Sequence, residues 1–310
     1  MRPNGWPGPV TEQPAARRAS LRELVQAATA VLTGAAVPSP AVDARALAAH
    51  ALGTDRLDLV LAPDPTPEFV TRYAQLVERR RRREPLQHIT GSASFRYLEL
   101  SVGPGVFVPR PETELVAEAA IEAARAVSGP PLVVDLCSGS GAIALALAQE
   151  VPAAEVVAVE LAEEAVRAIG TNADRLGLPV RVVQADVTAA STVADLDGQV
   201  HVLVANPPYI PPDAVPQDPE VRDHDPDLAL YGGGVDGLDL PRAVVRAATR
   251  LLRGGGVLVM EHAEVQAASV RQLVAATGVF TEVHTRTDLT GRDRMVVATR
   301  THPPELSGSR

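Results

Sequence analysis

The chain has 310 residues and a formal net charge of −9, with 46% hydrophobic and 22% charged residues. This composition is that of a globular protein with a sizeable core, and the length predicts a small domain beside a medium one. The negative balance argues against broad, nonspecific binding to nucleic acid. The one cysteine, Cys137, excludes an internal disulfide and fits a reducing compartment. No apolar run reaches the about 20 residues of a membrane helix, so we expect a cytoplasmic protein without a membrane partner.

The N-terminal part of the chain predicts a small helical domain over residues 19–85. Residues 1–18 are rich in Pro, Gly and Arg and are expected to be disordered. Ser20 and Glu23 have the spacing of a capping box, which marks the start of the first helix. The predicted helices run, in chain order, from Ser20 to Gly34, from Ser39-Pro40 to near Gly53, over 55–61, and from Thr66-Pro67 to Pro85.

Five consecutive arginines, Arg79 to Arg83, lie at the end of the last of these helices. Cations at a helix C-terminus interact favourably with the helix dipole, so the run can be a solvated helix end. The same run could contact nucleic acid or an acidic partner. We favour the solvated helix end, because the rest of the chain is acidic.

Residues 86–110 predict a β-hairpin linker. Leu98, Leu100 and Val102 alternate with polar residues, which is the period of a strand. Gly103-Pro104-Gly105 predicts a turn, after which residues 106–108 are expected to return as the second strand. Pro111 then begins a helix with acidic residues in its first turn.

Alternating apolar strands and helices predict a catalytic domain over residues 111–301, followed by a loose tail at 302–310. Such an alternation is typical of an α/β fold with a mostly parallel sheet that is covered on both faces. Strands are expected at 132–136, 155–160, 180–185, 200–205, 256–261, 279–284 and 293–299. Helices are expected between them, around 141–150, 163–176, 240–252 and 264–277.

The functional interpretation begins at Asn206, Pro207, Pro208 and Tyr209. They follow the buried strand at 200–205, which the prolines stop because they have no N–H to donate. The Asn206 side-chain carbonyl and the Pro207 backbone carbonyl can accept both hydrogens of a planar –NH2 group, and Tyr209 offers a face for stacking. All four residues are candidate substrate-binding residues, and Asn206 and Pro207 are the candidate catalytic ones. Taken alone, the motif could also be an ordinary strand-ending turn.

A second candidate site follows the strand at 132–136. Its glycine-rich turn lets the backbone approach a ligand closely; the turn consists of Cys137, Ser138, Gly139, Ser140 and Gly141. Asp135 would repel a pyrophosphate and suits a cation such as the amino group of S-adenosylmethionine. Glu160 and Asp186 end the next two strands, where they could accept hydrogen bonds from ribose hydroxyls and an adenine amino group. With Val187 lining the adenine ring, these residues predict S-adenosylmethionine as the cofactor and S-adenosylhomocysteine as its product.

Other reactive side chains receive no role. Cys137 has no base nearby in the sequence and is expected to be a small buried residue rather than a nucleophile. His88, His224 and His262 lack the spacing of metal ligands, so no metal is predicted. The acidic, proline-rich stretch at 213–227 is a candidate mobile lid.

The residues at 135–141, Glu160, Asp186 and the tetrapeptide resemble class I S-adenosylmethionine-dependent methyltransferases acting on an amino or amide nitrogen. Four further motifs resemble the HemK/PrmC family: 91–95, 109–114, 234–238 and 291–294. Together the similarity covers about residues 20–300. It implies a Rossmann-like, mostly parallel seven-stranded sheet with a small N-terminal all-helical domain and a linking β-hairpin. It also implies methylation of the glutamine side-chain amide in the Gly-Gly-Gln motif of peptide chain release factors, which modulates translation termination.

By the same resemblance, residues 137–141, Glu160, Val187 and Asn206 would contact the cofactor. There are departures from the family pattern, whose turn usually reads Gly-Thr-Gly-Thr-Gly and which often has Asp where this chain has Glu160. Val187 stands where a larger ring is sometimes found, so we expect looser packing of the adenine ring there. Because Cys and Ser are small and Glu is only one methylene longer than Asp, we expect the cofactor contacts to survive.

Several alternatives stay open. A nucleic-acid amino methyltransferase could use the same tetrapeptide, and the arginine run favours it, but the acidic balance does not. A glutamine methyltransferase of a ribosomal protein is a closer relative, and a non-catalytic module with the same fold is a third possibility. A nicotinamide dehydrogenase is the least favoured alternative, because Asp135 and the tetrapeptide would have no role in one. Our prediction is an enzyme with release factors as its protein substrate, no stable nucleic-acid partner and a monomeric state.

Overall fold

The computed structural model describes residues 19–54, 56–59 and 64–302, and the chain divides into two compact units, Met1–Leu86 and Gln87–Arg310. The disorder predicted for residues 1–18 lies outside the described residues, as does the predicted tail from 303 onwards. None of the helices in the described ranges has the length and apolar character that crossing a membrane requires.

The described part of the first unit contains the helices α1 (Leu21–Gly34), α2 (Pro40–Leu52) and α3 (Pro67–Arg81). The predicted capping box is confirmed, because Ser20 Oγ accepts from the Glu23 amide and Glu23 Oε2 accepts from the Ser20 amide. The helix predicted over 55–61 is absent from its described part, since residues 56–59 form a bend and a turn; the other three positions lie outside the described residues.

The arginine run is a helix end, but not all of it is solvated. Arg80 is 5% exposed, and its Nε donates to Asp43 Oδ2 on α2 at 2.7 Å. Arg79 pairs with Glu84, whereas Arg81 and Arg82 both pair with Glu78. The run therefore has a structural explanation within its own unit, which weakens the interpretation as a nucleic-acid contact.

Arg80→Ala should destabilise the helical unit by about 3–5 kcal/mol, because it leaves the buried Asp43 carboxylate without its ion-pair partner. The matched control is Arg82→Ala, which removes an arginine of the same run whose side chain is 72% exposed and should change little. Hydrogen exchange followed by mass spectrometry separates the peptides of α1–α3 from the rest of the chain. Equal exchange rates in the two variants would contradict a structural role of Arg80.

The boundary between the units falls at the first residue of a short helix, α4 (Leu86–Thr90), which is followed by an antiparallel hairpin of β1 (Ser92–Phe95) and β2 (Leu98–Ser101). The predicted hairpin exists, but its predicted pairing is wrong. Leu98–Ser101 pairs with the residues before it, and 106–108 form no strand. The physical reason is that Ala93 and Phe95 share a buried face with Leu98 and Leu100, at 4%, 1%, 3% and 0% exposure, respectively.

A seven-stranded sheet in the order β5-β4-β3-β6-β7-β9-β8 forms the centre of the second unit. Only β9 runs opposite to the other six strands, so the mostly parallel sheet predicted from the sequence is confirmed. The strands are β3 (Leu132–Leu136), β4 (Glu155–Glu160), β5 (Val180–Gln184), β6 (Val200–Ala205), β7 (Leu252–Glu261), β8 (Phe280–Thr287) and β9 (Asp293–Arg300). The helices are α5 (Thr113–Arg125), α6 (Ala142–Glu150), α7 (Glu163–Leu176), α8 (Pro219–His224), α9 (Asp227–Leu230), α10 (Asp239–Leu251) and α11 (Ala267–Ala275).

Apolar side chains pack on both faces of this sheet. One cluster joins the sheet to α5, α6 and α7, and the other joins it to α10 and α11. The strand order reverses between β3 and β6, because the chain runs from β3 outward through β4 to β5 and then returns to β6. In open α/β sheets, ligands bind beside the carboxyl ends of the strands at such a reversal.

Candidate active site

A cavity of about 320 Å³ lies at the carboxyl ends of β3, β4, β5 and β6. It contains nearly all the site residues predicted from the sequence. Those in its wall are Cys137, Ser138, Gly139, Ser140, Glu160, Asp186, Val187, Asn206, Pro207, Pro208 and Tyr209. Asp135 and Gly141 do not line it.

The glycine-rich turn is held in a left-handed backbone conformation that favours glycine, which lacks a Cβ atom. Cys137, Gly139 and Gly141 have φ values of +61°, +56° and +82°. A Cβ atom on Gly141 would lie 3.1 Å from Ile169 Cγ2 on α7, so this glycine lets α6 pack closely against α7. Gly141 therefore shapes the turn from behind the cavity wall.

Glu160 anchors this turn to the end of β4. Its Oε2 accepts from the Gly139 amide at 2.8 Å, and its Oε1 accepts from the amides of Leu161 at 2.7 Å and Ala162 at 2.9 Å. The carboxylate is thus oriented by three backbone donors while its residue lines the cavity.

Asp135 is completely buried beneath the turn. Its Oδ2 accepts from the Ala144 amide at 3.2 Å, whereas its Oδ1 has no hydrogen-bond partner among the described residues. Burial, assisted by the nearby Glu160 charge, raises the pKa of Asp135 to about 7. The carboxyl therefore supports the first turn of α6, and its contact to a cofactor amino group stays a prediction.

Cys137 lies in the cavity wall, but burial and the surrounding carboxylates Glu160, Asp135 and Asp186 raise the pKa of its thiol well above the usual value. A thiol with a raised pKa is a poor nucleophile. The structure thus agrees with a packing role for this cysteine.

Asn206 to Tyr209 form another part of the cavity wall, just after β6 ends at Ala205. The tetrapeptide is packed tightly from behind, since a Cβ atom on Gly237 would lie 2.2 Å from the Tyr209 carbonyl oxygen. Gln266 Nε2 donates to the same carbonyl at 2.8 Å. These contacts hold the backbone of the tetrapeptide rigidly at the end of β6.

Two residues behind Asn206, Thr113 and Glu261, were not predicted as site residues from the sequence. Asn206 Nδ2 donates to Thr113 Oγ1 at 3.3 Å, and Thr113 Oγ1 donates to Glu261 Oε2 at 2.8 Å. Glu261 ends β7, the strand next to β6, and its Oε1 accepts from the Tyr209 hydroxyl at 3.4 Å. The strand-end rule that singled out Glu160 and Asp186 could also have found Glu261.

The stretch predicted as a lid contains α8 and leads into α9. Pro226 of this stretch lines the cavity, as do Leu228, Ala229 and Leu230 just after it; Phe107 and Pro109 also belong to the wall. Asp225, just before this group, pairs with Arg110, just after Pro109. An ion pair therefore joins the two segments beside the cavity; the mobility of the lid stays a prediction.

Comparison with known proteins gives the family. Residues 23–91 match the PrmC N-terminal domain, and residues 117–218 match the methyltransferase small domain. The release factor glutamine methyltransferase of Streptomyces coelicolor is 51% identical over 285 residues, covering 91% of this chain and 99% of that relative. The enzyme of the same description from Mycolicibacterium smegmatis is 48% identical over 280 residues, covering 90% and 98%. The chain belongs to the release factor glutamine methyltransferase family.

A further relative of this family member has a different kind of substrate. The 4-amino-L-phenylalanine/4-methylamino-L-phenylalanine methyltransferase of Streptomyces pristinaespiralis is 43% identical over 291 residues, covering 91% of this chain and 96% of that relative. An aromatic amine and a glutamine amide both present a planar –NH2 group. The assay of function must therefore separate a protein substrate from a small one.

Asp135→Asn in this family member should stabilise the ligand-free protein at high pH. A carboxyl whose pKa is higher in the folded state contributes stability that is fully present below its ordinary pKa of 3.8 and is lost as the pH rises from there through about 7. The variant should therefore be the more stable protein at both about pH 5 and about pH 8, and its advantage should be larger at pH 8 by about 2–3 kcal/mol, since each pH unit between 5 and 7 is worth about 1.4 kcal/mol. Urea unfolding at both pH values measures this, with the exposed Asp174→Asn as control. A stability difference that is independent of pH would contradict the buried, neutral carboxyl.

Proposed function

We propose that this protein transfers a methyl group from S-adenosylmethionine to the side-chain amide nitrogen of the glutamine in the Gly-Gly-Gln motif of peptide chain release factors. The observation that carries the proposal is the position of Asn206-Pro207-Pro208-Tyr209. The tetrapeptide shares one cavity with the glycine-rich turn and Glu160. This shared position supports a site for a planar –NH2 group next to the site proposed for the methyl donor, and the chain is about half identical to release factor glutamine methyltransferases.

The residues of the cavity fit S-adenosylmethionine. The turn presents small side chains and backbone, and Glu160 and Asp186 place carboxylates in the wall. Behind the turn, Asp135 Oδ1 accepts no hydrogen bond from the described residues and is an acceptor suited to a cationic amino group. The residues proposed to hold the cofactor are Asp135, Cys137, Ser138, Gly139, Ser140, Gly141, Glu160, Asp186, Val187 and Asn206. When bound, the cofactor supplies an electrophilic methyl group on a sulfonium.

The residues of the tetrapeptide hold the substrate amide nitrogen in position for methyl transfer. An amide nitrogen is a poor nucleophile, because its lone pair is delocalised into the carbonyl group. Asn206 Oδ1 and the Pro207 carbonyl accept the two amide hydrogens, hold the nitrogen for approach to about 3–3.5 Å, and stabilise the positive charge that develops on it. Tyr209 supports the flat amide by stacking. A strong general base is not required, since the proton can leave after the transfer.

The first unit is proposed to bind the release factor away from the glutamine. The match of residues 23–91 to the PrmC N-terminal domain supports a role shared within the family. We further propose domain limits of 19–85 for this helical domain, 86–110 for the hairpin linker and 111–301 for the catalytic domain. The protein is proposed to act as a cytoplasmic monomer without a stable nucleic-acid partner.

The test is methyl transfer from labelled S-adenosylmethionine to several acceptors side by side. These are purified release factor, the same factor with its Gly-Gly-Gln glutamine replaced, ribosomal protein, DNA and 4-amino-L-phenylalanine. We expect label on the intact release factor alone. Label on 4-amino-L-phenylalanine alone would show that the enzyme methylates a small molecule. Label on ribosomal protein or on DNA would show that the substrate is that macromolecule and not a release factor.

A further inference from the structure

Behind the proposed substrate site, three side chains from distant parts of the chain form a continuous hydrogen-bonded relay. Asn206 Nδ2 donates to Thr113 Oγ1 at 3.3 Å, and Thr113 Oγ1 donates to Glu261 Oε2 at 2.8 Å. Thr113 is 3% exposed and Glu261 is 1% exposed, so water does not compete for these bonds. Thr113 and Asn206 line the cavity, whereas Glu261 lies behind them.

The number of hydrogens in this relay determines how the Asn206 amide is turned. A threonine hydroxyl has a single hydrogen, and an ionised carboxylate can only accept. Once Thr113 donates to Glu261, it can only accept from Asn206, which must then present its –NH2 group to Thr113. The carbonyl end, Oδ1, accepts no hydrogen bond from the described residues and is left for a ligand. This is the orientation that an acceptor of an incoming –NH2 group needs.

We infer that Thr113 and ionised Glu261 are positioning residues, which hold Asn206 with its carbonyl toward the substrate nitrogen. The inference rests on the proposed function of Asn206. A protonated Glu261 could donate to Thr113 and release the threonine hydrogen toward Asn206. The amide could then turn over and present its own –NH2 group to the substrate –NH2 group, which repels it.

The surroundings of Glu261 bring the protonation of its carboxylate into a pH range in which the enzyme can be assayed. Burial raises the pKa of Glu261 to about 7, and Glu112 adds to the increase. The hydrogen bond from Thr113 and the positive charge of Arg294 on β9 oppose it. Tyr209 also faces the carboxyl, but burial raises the pKa of its phenol above the usual value, so it stays neutral. Burial lowers the pKa of His262, the next residue along the chain.

The sign of the pH effect follows from these groups. Ionised Glu261 favours the productive orientation, so kcat should rise with pH along a limb centred near 7. Glu261→Gln should have a lower kcat without this limb, because a glutamine amide can donate to Thr113 at every pH. Binding of S-adenosylhomocysteine should be unchanged, since Glu261 does not line the cavity.

The experiment compares Thr113→Val and Thr113→Ser with the wild type, using release factor as the substrate. Valine keeps the shape of threonine but removes the hydroxyl, so kcat should fall about tenfold or more, with S-adenosylhomocysteine binding retained. Serine keeps the hydroxyl and should restore most of kcat and the acid limb. A wild-type pH profile and kcat in Thr113→Val would overturn the inference, as would a serine variant as defective as the valine one. Absence of label in the wild type would instead overturn the proposed function.

Discussion

Asn206→Ala should lower kcat for release-factor methylation by about two to three orders of magnitude, as expected when one preorganised transition-state hydrogen bond is removed. The side-chain carbonyl of Asn206 is the acceptor that the relay through Thr113 turns toward the cavity. Its loss removes both the alignment of the substrate nitrogen and the stabilisation of its developing charge. Single-turnover methyl transfer at saturating cofactor and release factor measures the chemical step directly.

The matched control is Asn206→Asp. Aspartate has almost the same shape and keeps an acceptor oxygen toward the substrate, but it cannot donate to Thr113 Oγ1. We therefore expect an intermediate kcat, above that of the alanine variant and below that of the wild type. Unchanged turnover in Asn206→Ala would contradict the role of Asn206 as the acceptor for the substrate nitrogen, whatever the turnover of the aspartate variant.

Glu160→Ala should weaken binding of S-adenosylhomocysteine by about two orders of magnitude, given about 1.5–3 kcal/mol for each hydrogen bond to a charged group. Glu160 has two roles that the substitution removes together. It orients the glycine-rich turn through the Gly139 amide, and it provides the carboxylate proposed to accept from the ribose hydroxyls. Isothermal titration calorimetry with S-adenosylhomocysteine measures the effect without any protein substrate.

Two controls separate the roles of this carboxylate from general effects of charge. Glu160→Asp retains the charge with a shorter reach and should bind far more tightly than the alanine variant. Glu163→Ala removes a neighbouring carboxylate whose side chain is 63% exposed and paired with Arg167 on the surface of α7. It should bind as the wild type does. If all three variants bound equally, Glu160 would have no part in the cofactor site.

Most of the sheet could be predicted from local patterns. β3, β4 and β6 begin and end where the sequence predicts, because buried parallel strands are short apolar runs bounded by turn residues. The hairpin shows where such patterns fail. Several short segments near residue 100 could pair with Leu98–Ser101, and only the burial of Ala93 and Phe95 in the tertiary core selects the segment before it.

The sequence by itself determined which residues stand at strand ends, and hence that the glycine-rich turn, Glu160, Asp186 and Asn206 to Tyr209 meet at one edge of the sheet. The carboxyl ends of parallel strands point the same way, so position along each strand is sufficient for this prediction. Only the tertiary structure decided which of these groups reach the cavity, placing Asp135 beneath the turn and Glu160 in the wall. It also joined Thr113, Asn206 and Glu261, because the order of strands β6 and β7 and the packing of α5 are set by the whole core. No local pattern links residues so far apart in the chain.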